Sequence, residues 1–140
     1  MVIADTGFFL ALLWHKDGSH ARALDLYRNI DEGLVTTWPV LTETTHLLSR
    51  GNNAHLSSGL LRACEAGEFR IAAQTSDACK RMAALMDKYA DLPMDLADAS
   101  LVVLAEEMGS GRILSTDRRD FKSYRWKNRK PFTNLMFPDD

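Results

Sequence analysis

The sequence predicts one α/β domain with a central, mostly parallel sheet and helices on both faces. Three observations carry that expectation. Short apolar, β-branched segments alternate with longer segments of helical periodicity along the whole chain. No two of the short segments are joined by a two-residue hairpin signal, so each return to the sheet runs through a helix, as parallel strands require. The 140 residues are 46% hydrophobic and 26% charged, which suits a single core with no linker, repeat or low-complexity stretch. The domain is expected over residues 1–137, with 138–140 as a short tail.

The elements follow in order. Val2-Ile3-Ala4 reads as a buried strand that stops at Asp5-Thr6-Gly7. Phe8 to Trp14 predicts a short helix. Ser19 is a suitable N-cap for a second, with Ala21, Leu24, Leu26, Tyr27 and Ile30 as its apolar positions and Gly33 as its stop. Leu34 to Trp38 has strand composition. Pro39 is preorganised for the first turn of a helix to about Arg50, ended by Gly51. Residues 54–66 form an amphipathic helix closed by Gly67, and Phe69 to Ala73 reads as a strand. Thr75 or Ser76 caps a helix reaching about Tyr89. Beyond Pro93, Asp95 opens a strongly apolar helix, Leu96 to Met108, stopped by Gly109. Arg112 to Ser115 is a strand, Thr116 to Phe121 a loop or single turn, and Phe132 to Met136 the region of a last strand.

Several classes are disfavoured. No basic leader or cleavage pattern opens the chain, and the longest apolar run, Phe8 to Trp14, is too short to cross a bilayer, so the expected location is the cytoplasm, with no membrane partner. Cys64 and Cys79 lack metal spacing and read as reduced thiols. The scattered His15, His20, His46 and His55 disfavour zinc. Charge is asymmetric: residues 1–110 hold 9 basic and 15 acidic side chains, residues 111–140 hold 8 basic and 4 acidic. An acidic body with a basic end suits a cation in one place and a polyanion beside it, although a mixed, solvated surface gives the same count.

In a parallel sheet, ligands bind outside the carboxyl ends of the strands. Asp5 directly follows the first strand, and Asp117 follows the strand Arg112–Ser115 by two residues. Glu43 and Asp98 lie in the first turns of helices near the same edge. Each acid has a structural alternative: Asp5 as a helix cap, Glu43 as a dipole-complementing acid, Asp95 as a cap completed by Asp98, and Asp117 or Asp120 as a surface partner of Arg118 and Arg119. Asp95 fits the cap better than a site. Together, Asp5, Glu43, Asp98 and Asp117 would repel one another unless a hard divalent cation intervened, and all-oxygen ligation favours Mg²⁺ or Mn²⁺.

The pieces Val-Ile-Ala-Asp5-Thr6-Gly7, Leu41-Thr42-Glu43, Asp95-Leu-Ala-Asp98-Ala99 and Ile113-Leu-Ser-Thr-Asp117-Arg-Arg-Asp120-Phe121 resemble the successive acidic motifs of PIN-domain ribonucleases, in that family's order and spacing. The stand-alone size resembles VapC-type toxins of toxin–antitoxin pairs. The resemblance implies a PIN-like fold and Mg²⁺- or Mn²⁺-dependent cleavage of RNA. It implies that Asp5, Glu43, Asp98 and Asp117 are the catalytic, metal-holding acids. Thr6, Ser115, Asp95 and Asp120 are expected to support them, and Arg112, Arg118, Arg119 and Lys122 are the candidates for contacts to flanking RNA phosphates. It also implies a homodimer and a cognate antitoxin, for which Val40, Leu47, Leu48, Leu56, Leu60 and Leu61 are candidate surface residues; filling the core is their plain alternative. The chain departs from the motif at Gly7, where the family usually has Asn or Ser, and the closeness of Asp117 and Asp120 leaves two candidates for the fourth acid.

Three rivals stand beside this reading. Asp5-Thr6-Gly7 resembles the aspartic-protease triplet, but that class is all-β and helices dominate here. A non-catalytic PIN-like RNA-binding or regulatory module would share the fold, and a metal-dependent phosphatase or DNA 5′-nuclease would share the carboxylates.

Overall fold

The computed structural model describes residues 1–50 and 52–140. Its first apolar segment becomes β1 (Val2–Ala4), which takes the central place in the sheet. Neighbouring side chains on a strand point to opposite faces, yet Val2, Ile3 and Ala4 are all fully buried. Both faces are therefore covered at the centre, as a parallel sheet demands. Helices α1 (Thr6–Leu13) and α2 (His20–Asn29) lead to β2 (Leu34–Thr36), parallel to β1 with Val2 opposite Leu34. Helices α3 (Trp38–Leu48) and α4 (His55–Glu65) lead to β3 (Arg70–Ile71), parallel to β2. A 3-10 turn, Ser76–Ala78, runs into α5 (Cys79–Lys88); α6 (Leu96–Met108) and β4 (Arg112–Leu114) follow, with β4 on the other flank of β1. Then come α7 (Asp120–Ser123), a hairpin of β5 (Arg125–Trp126) and β6 (Lys130–Pro131), and β7 (Thr133–Asn134), parallel to β4. The sheet order is β3-β2-β1-β4-β7.

Local chemistry sets the boundaries. Asp5, Thr37 and Asp95 each accept a backbone N–H with the side chain at the starts of α1, α3 and α6. Gly109 closes α6 at φ 69°, the left-handed cap glycine tolerates without strain. Ser19 stands at the start of α2 but its hydroxyl makes no capping bond; the Asp17 carboxylate accepts the Ser19 N–H instead, at 2.8 Å. α2 also ends at Asn29, short of the expected stop at Gly33, because Ile30 already turns extended toward β2. The predicted stop at Gly51 lies outside the described residues.

One hairpin, outside the five-stranded sheet, joins β5 to β6 without a two-residue hairpin signal in the sequence. Lys127 and Asn128 both take positive φ, 49° and 62°, and the Arg129 N–H donates to the Trp126 carbonyl. That is the mirror-image turn whose usual Asn-Gly signal is missing here, since only Asn128 belongs to it. Tertiary contacts supply the difference: Arg81 donates to both Glu106 oxygens and to Asn128 Oδ1, and Glu106 accepts the Lys127 N–H.

The apolar residues of α3 and α4 divide between core and surface. Val40, Leu48 and Leu60 are buried, Leu47 and Leu56 half-buried, and Leu61 is 45% exposed. Adjacent leucines thus test the packing directly. Leu60→Ala is expected to destabilise the fold by about 2–5 kcal/mol in urea unfolding, and Leu61→Ala by less than about 0.5 kcal/mol. Equal effects would contradict this placement of α4.

Candidate active site

β1, β2 and β4 all end at one edge of the sheet, and the acids gather just beyond it. Asp5 leaves β1 with only 6% of its surface exposed. Its Oδ1 accepts the Thr6 N–H at 2.7 Å and its Oδ2 accepts the Ser115 hydroxyl at 2.7 Å. The same Ser115 Oγ accepts the Asp117 N–H at 2.9 Å, and Asp117 Oδ1 accepts the Asp120 N–H at 2.9 Å. One serine therefore ties the end of β1 to the turn that follows β4. On the α3 side, Thr6 Oγ1 donates to Glu43 Oε2 at 3.3 Å. At the start of α6, Asp95 Oδ1 accepts the Asp98 N–H at 2.8 Å, and Asp98 Oδ2 accepts the Tyr124 hydroxyl at 3.2 Å. Asp5, Glu43, Asp95, Asp98, Asp117 and Asp120 line a single cavity of about 330 Å³.

The structure thus brings together every acid the sequence singled out, with Thr6 and Ser115 each bonded to two of them. Asp95 is both cap and cavity wall, and Asp5 likewise does both. The basic residues do not all follow. Arg112 lies at the opposite end of β4, where its guanidinium pairs with Glu32 beside the Met1 amino group. Its guanidinium is thus engaged with Glu32, away from the edge where the acids gather. Arg118 pairs with Asp140 and stacks over Phe137 at 4.4 Å. Arg119 is 79% exposed and approaches Asp120 at 3.9 Å, and Lys122 is exposed on α7.

Three further residues went unsignalled. Tyr124 is an aromatic in a basic stretch. Asn134 grips Ser115 through both backbone groups, donating to its carbonyl at 2.9 Å and accepting its N–H at 3.2 Å; its only signal was a polar side chain within an apolar strand. Thr116 explains the departure at Gly7. A Cβ on Gly7 would come within 1.8 Å of Thr116 Oγ1 and 3.0 Å of its Cβ, so the turn beyond β4 packs where a side chain would stand.

Electrostatics makes the cavity costly when empty of cations. Burial, with Glu43 and Asp117 adding to it, pushes the Asp5 carboxyl up to about 6 despite the Ser115 and Thr6 bonds. Asp98 is raised by burial and then by Asp95 and Asp5; Glu43 by burial, Asp95 and Asp117; Asp120 by burial and Asp117. Among the described residues, none of Asp5, Glu43, Asp95, Asp98 or Asp117 forms an ion pair. Nor do any three stand close enough to make a closed ligand set there. The donors lining the cavity are carboxylate oxygens with no His or Cys among them, a set that suits a hard cation such as Mg²⁺ or Mn²⁺ better than Zn²⁺.

The model of the PIN domain family matches residues 2–127. A curated relative, Ribonuclease VapC26 of Mycobacterium tuberculosis, is 27% identical over 124 residues, covering 89% of this chain and 92% of its own. The crystal structure of VapC20 from the same organism, titled a sarcin-ricin loop cleaving toxin, superposes with a TM-score of 0.78 at 19% identity, over 85% of this chain and 92% of that one.

Two outcomes are expected. Asp5 keeps its proton in the folded state above its ordinary value of 3.8, so its stabilising contribution is complete below that value and lost as pH rises through about 6. Raised Asp98 acts in the same direction, whereas the lowered carboxyls of Glu32, Glu106 and Asp140 act oppositely, below the ordinary carboxylate range. In EDTA the melting temperature should therefore be lower at pH 7.5 than at pH 5, with Mn²⁺ closing the gap, Asp5→Asn removing part of it and Asp98→Asn, whose carboxyl is pushed up to about 8, removing more. An equal melting temperature at both pH values would contradict the uncompensated cluster. Separately, Gly7→Ala should depress cleavage by displacing the Asp117 turn, and Thr116→Ala in the same chain should restore part of it; absence of any restoration would show that the clash is not the cause.

Proposed function

The chain belongs to the PIN-domain family, and on that footing we propose that it is a divalent-metal-dependent endoribonuclease of the VapC type, the toxin of a toxin–antitoxin pair. The observation that carries the reading is the convergence of Asp5, Glu43, Asp98 and Asp117, from four separate stretches, on one cavity at the carboxyl edge of the sheet. The relative named as a ribonuclease, matched along nearly its whole length, supports the choice of RNA over other phosphodiesters.

Asp5 and Asp98 would hold the principal cation, Mg²⁺ or Mn²⁺, and Glu43 and Asp117 would complete the site directly or through water. When bound, the ion offsets the phosphate's charge and makes water more acidic. Asp5 meets this task with both oxygens already directed by Thr6 and Ser115. Glu43, anchored by Thr6 and with a raised proton affinity, accepts the proton of the attacking water. Asp117, held through its N–H by Ser115 and through Oδ1 by Asp120, orients that water from the other side. Arg119 and Lys122 on the exposed turn beside the cavity meet flanking phosphates, and Arg118 joins them when it leaves Asp140.

A cognate antitoxin and a homodimer belong to the same reading. Trp14, Trp38, Leu61 and Leu96 are exposed apolar side chains available to such partners. No helix is long and apolar enough to cross a membrane among the described residues, in keeping with action in the cytoplasm.

Asp5→Asn keeps the volume and the Thr6 bond and removes the charge. Loss of an outer partner alone costs a metal site roughly 10–100-fold, so cleavage of total RNA in Mg²⁺ should fall by at least about a hundredfold, with the fold intact by circular dichroism. EDTA should abolish the wild-type activity. Undiminished cleavage by the variant would remove Asp5 from the site; RNA binding without cleavage, by the wild type in Mg²⁺ or Mn²⁺, would leave a non-catalytic PIN-like module.

A further inference from the structure

Tyr124 lies outside all four acidic motifs, yet its side chain is fully buried and its hydroxyl reaches Asp98 Oδ2 at 3.2 Å. The ring is fixed from several sides. Phe121 meets it edge-on with centroids 5.3 Å apart, and Tyr89 does so at 5.0 Å. The backbone is fixed as well: the Tyr124 N–H donates to the Asp120 carbonyl at 2.9 Å, and the next residue, Arg125, donates its N–H to the Tyr89 hydroxyl at 3.0 Å. A ring held this way can aim its hydroxyl in one direction only.

Asp98 needs such a partner. Its backbone is set by the Asp95 cap, but the rotation of a terminal carboxylate is soft, and Tyr124 is the protein donor bonded to that carboxylate among the described residues. A neutral hydroxyl directs the group without neutralising it, as an arginine or lysine would. Filling the core, the plain role of a buried aromatic, needs only the ring, which phenylalanine supplies equally well.

We infer that Tyr124 is a positioning residue: its hydroxyl holds one oxygen of Asp98 so that the other meets a divalent cation in the acidic cavity in a fixed direction. The inference rests on the reading of Asp98 as a cation-holding acid. It also makes α7 a shared anchor, because the short helix that starts at Asp120, bonded to Asp117, ends at the tyrosine that holds Asp98.

The test is Mn²⁺ binding by the full chain, followed by electron paramagnetic resonance, for wild type, Tyr124→Phe, Tyr89→Phe and Asp98→Asn, with metal-free melting temperatures as a check of folding. Outer-shell partners tune metal affinity by roughly 10–100-fold, so Tyr124→Phe should bind Mn²⁺ about tenfold more weakly. Its cleavage at saturating Mn²⁺ should recover to near the wild-type kcat. Tyr89→Phe, which frees the Arg125 N–H but removes no carboxylate contact, should weaken binding far less than Tyr124→Phe. Wild-type affinity in Tyr124→Phe, with Asp98→Asn abolishing binding, would overturn the positioning role and leave the metal reading standing. Equal weakening by Tyr89→Phe would overturn it in favour of general loosening. Unchanged binding in Asp98→Asn would remove Asp98 as a ligand, and the role of Tyr124 with it.

Discussion

Burying the Asp5 carboxylate among other acids costs free energy that its hydrogen bonds to Thr6 and Ser115 offset only in part. The position is nevertheless imposed by the backbone, because β1 is the central strand and Asp5 is the residue at which it leaves the sheet. The remainder of the site is fitted to that residue. Thr6 serves it by its N–H and serves Glu43 by its hydroxyl; Ser115 serves it by its hydroxyl and Asp117 by its oxygen. Each of these small residues joins two acids, so the spacing of the carboxylates is set by the protein itself.

The second requirement is that the elements carrying the acids stay in register. Buried hydroxyls do this at the same edge. Thr36 Oγ1 donates to the Ala4 carbonyl at 2.8 Å, locking the ends of β1 and β2, and Thr37 Oγ1 lies 2.7 Å from Ser100 Oγ, joining the start of α3 to α6. α6 itself is buried almost all round from Ala97 to Ala105, with Asp98 facing the cavity as the exception in its first turn. A helix this enclosed cannot shift without disturbing the core, so Asp98 inherits the rigidity of the whole domain. The β5–β6 hairpin, pinned to α5 and α6 through Arg81 and Glu106, fixes the opposite end of the same assembly.

Much of this was legible in the primary structure. Val2-Ile3-Ala4 and Arg112–Leu114 read as strands because apolar, β-branched runs bounded by turn residues have few alternatives, and Asp95 read as a cap because its spacing to Asp98 is a local pattern. The illegible parts depend on non-local contacts. The hairpin turn carries Lys127 at positive φ, which no propensity predicts. Gly7 looked like a missing side chain, whereas the space is taken by Thr116, more than a hundred residues away in sequence. Arg112 counted toward a basic end, and only the structure shows that it starts β4 and pairs with Glu32, 80 residues away in sequence.

The amino-acid sequence by itself determined the alternation of strands and helices, hence the parallel sheet, and with it the edge at which Asp5, Glu43, Asp98 and Asp117 emerge. Those properties follow from period, caps and connection length, which are local or nearly so. Only the tertiary structure decided which groups hold the acids, which bases share their surface, and which leucines of α3 and α4 fill the core. Such outcomes depend on distances between elements, and Tyr124 shows the reason: it touches Asp98 across 26 residues of chain because α7 and α6 pack together, a fact no spacing in the sequence encodes.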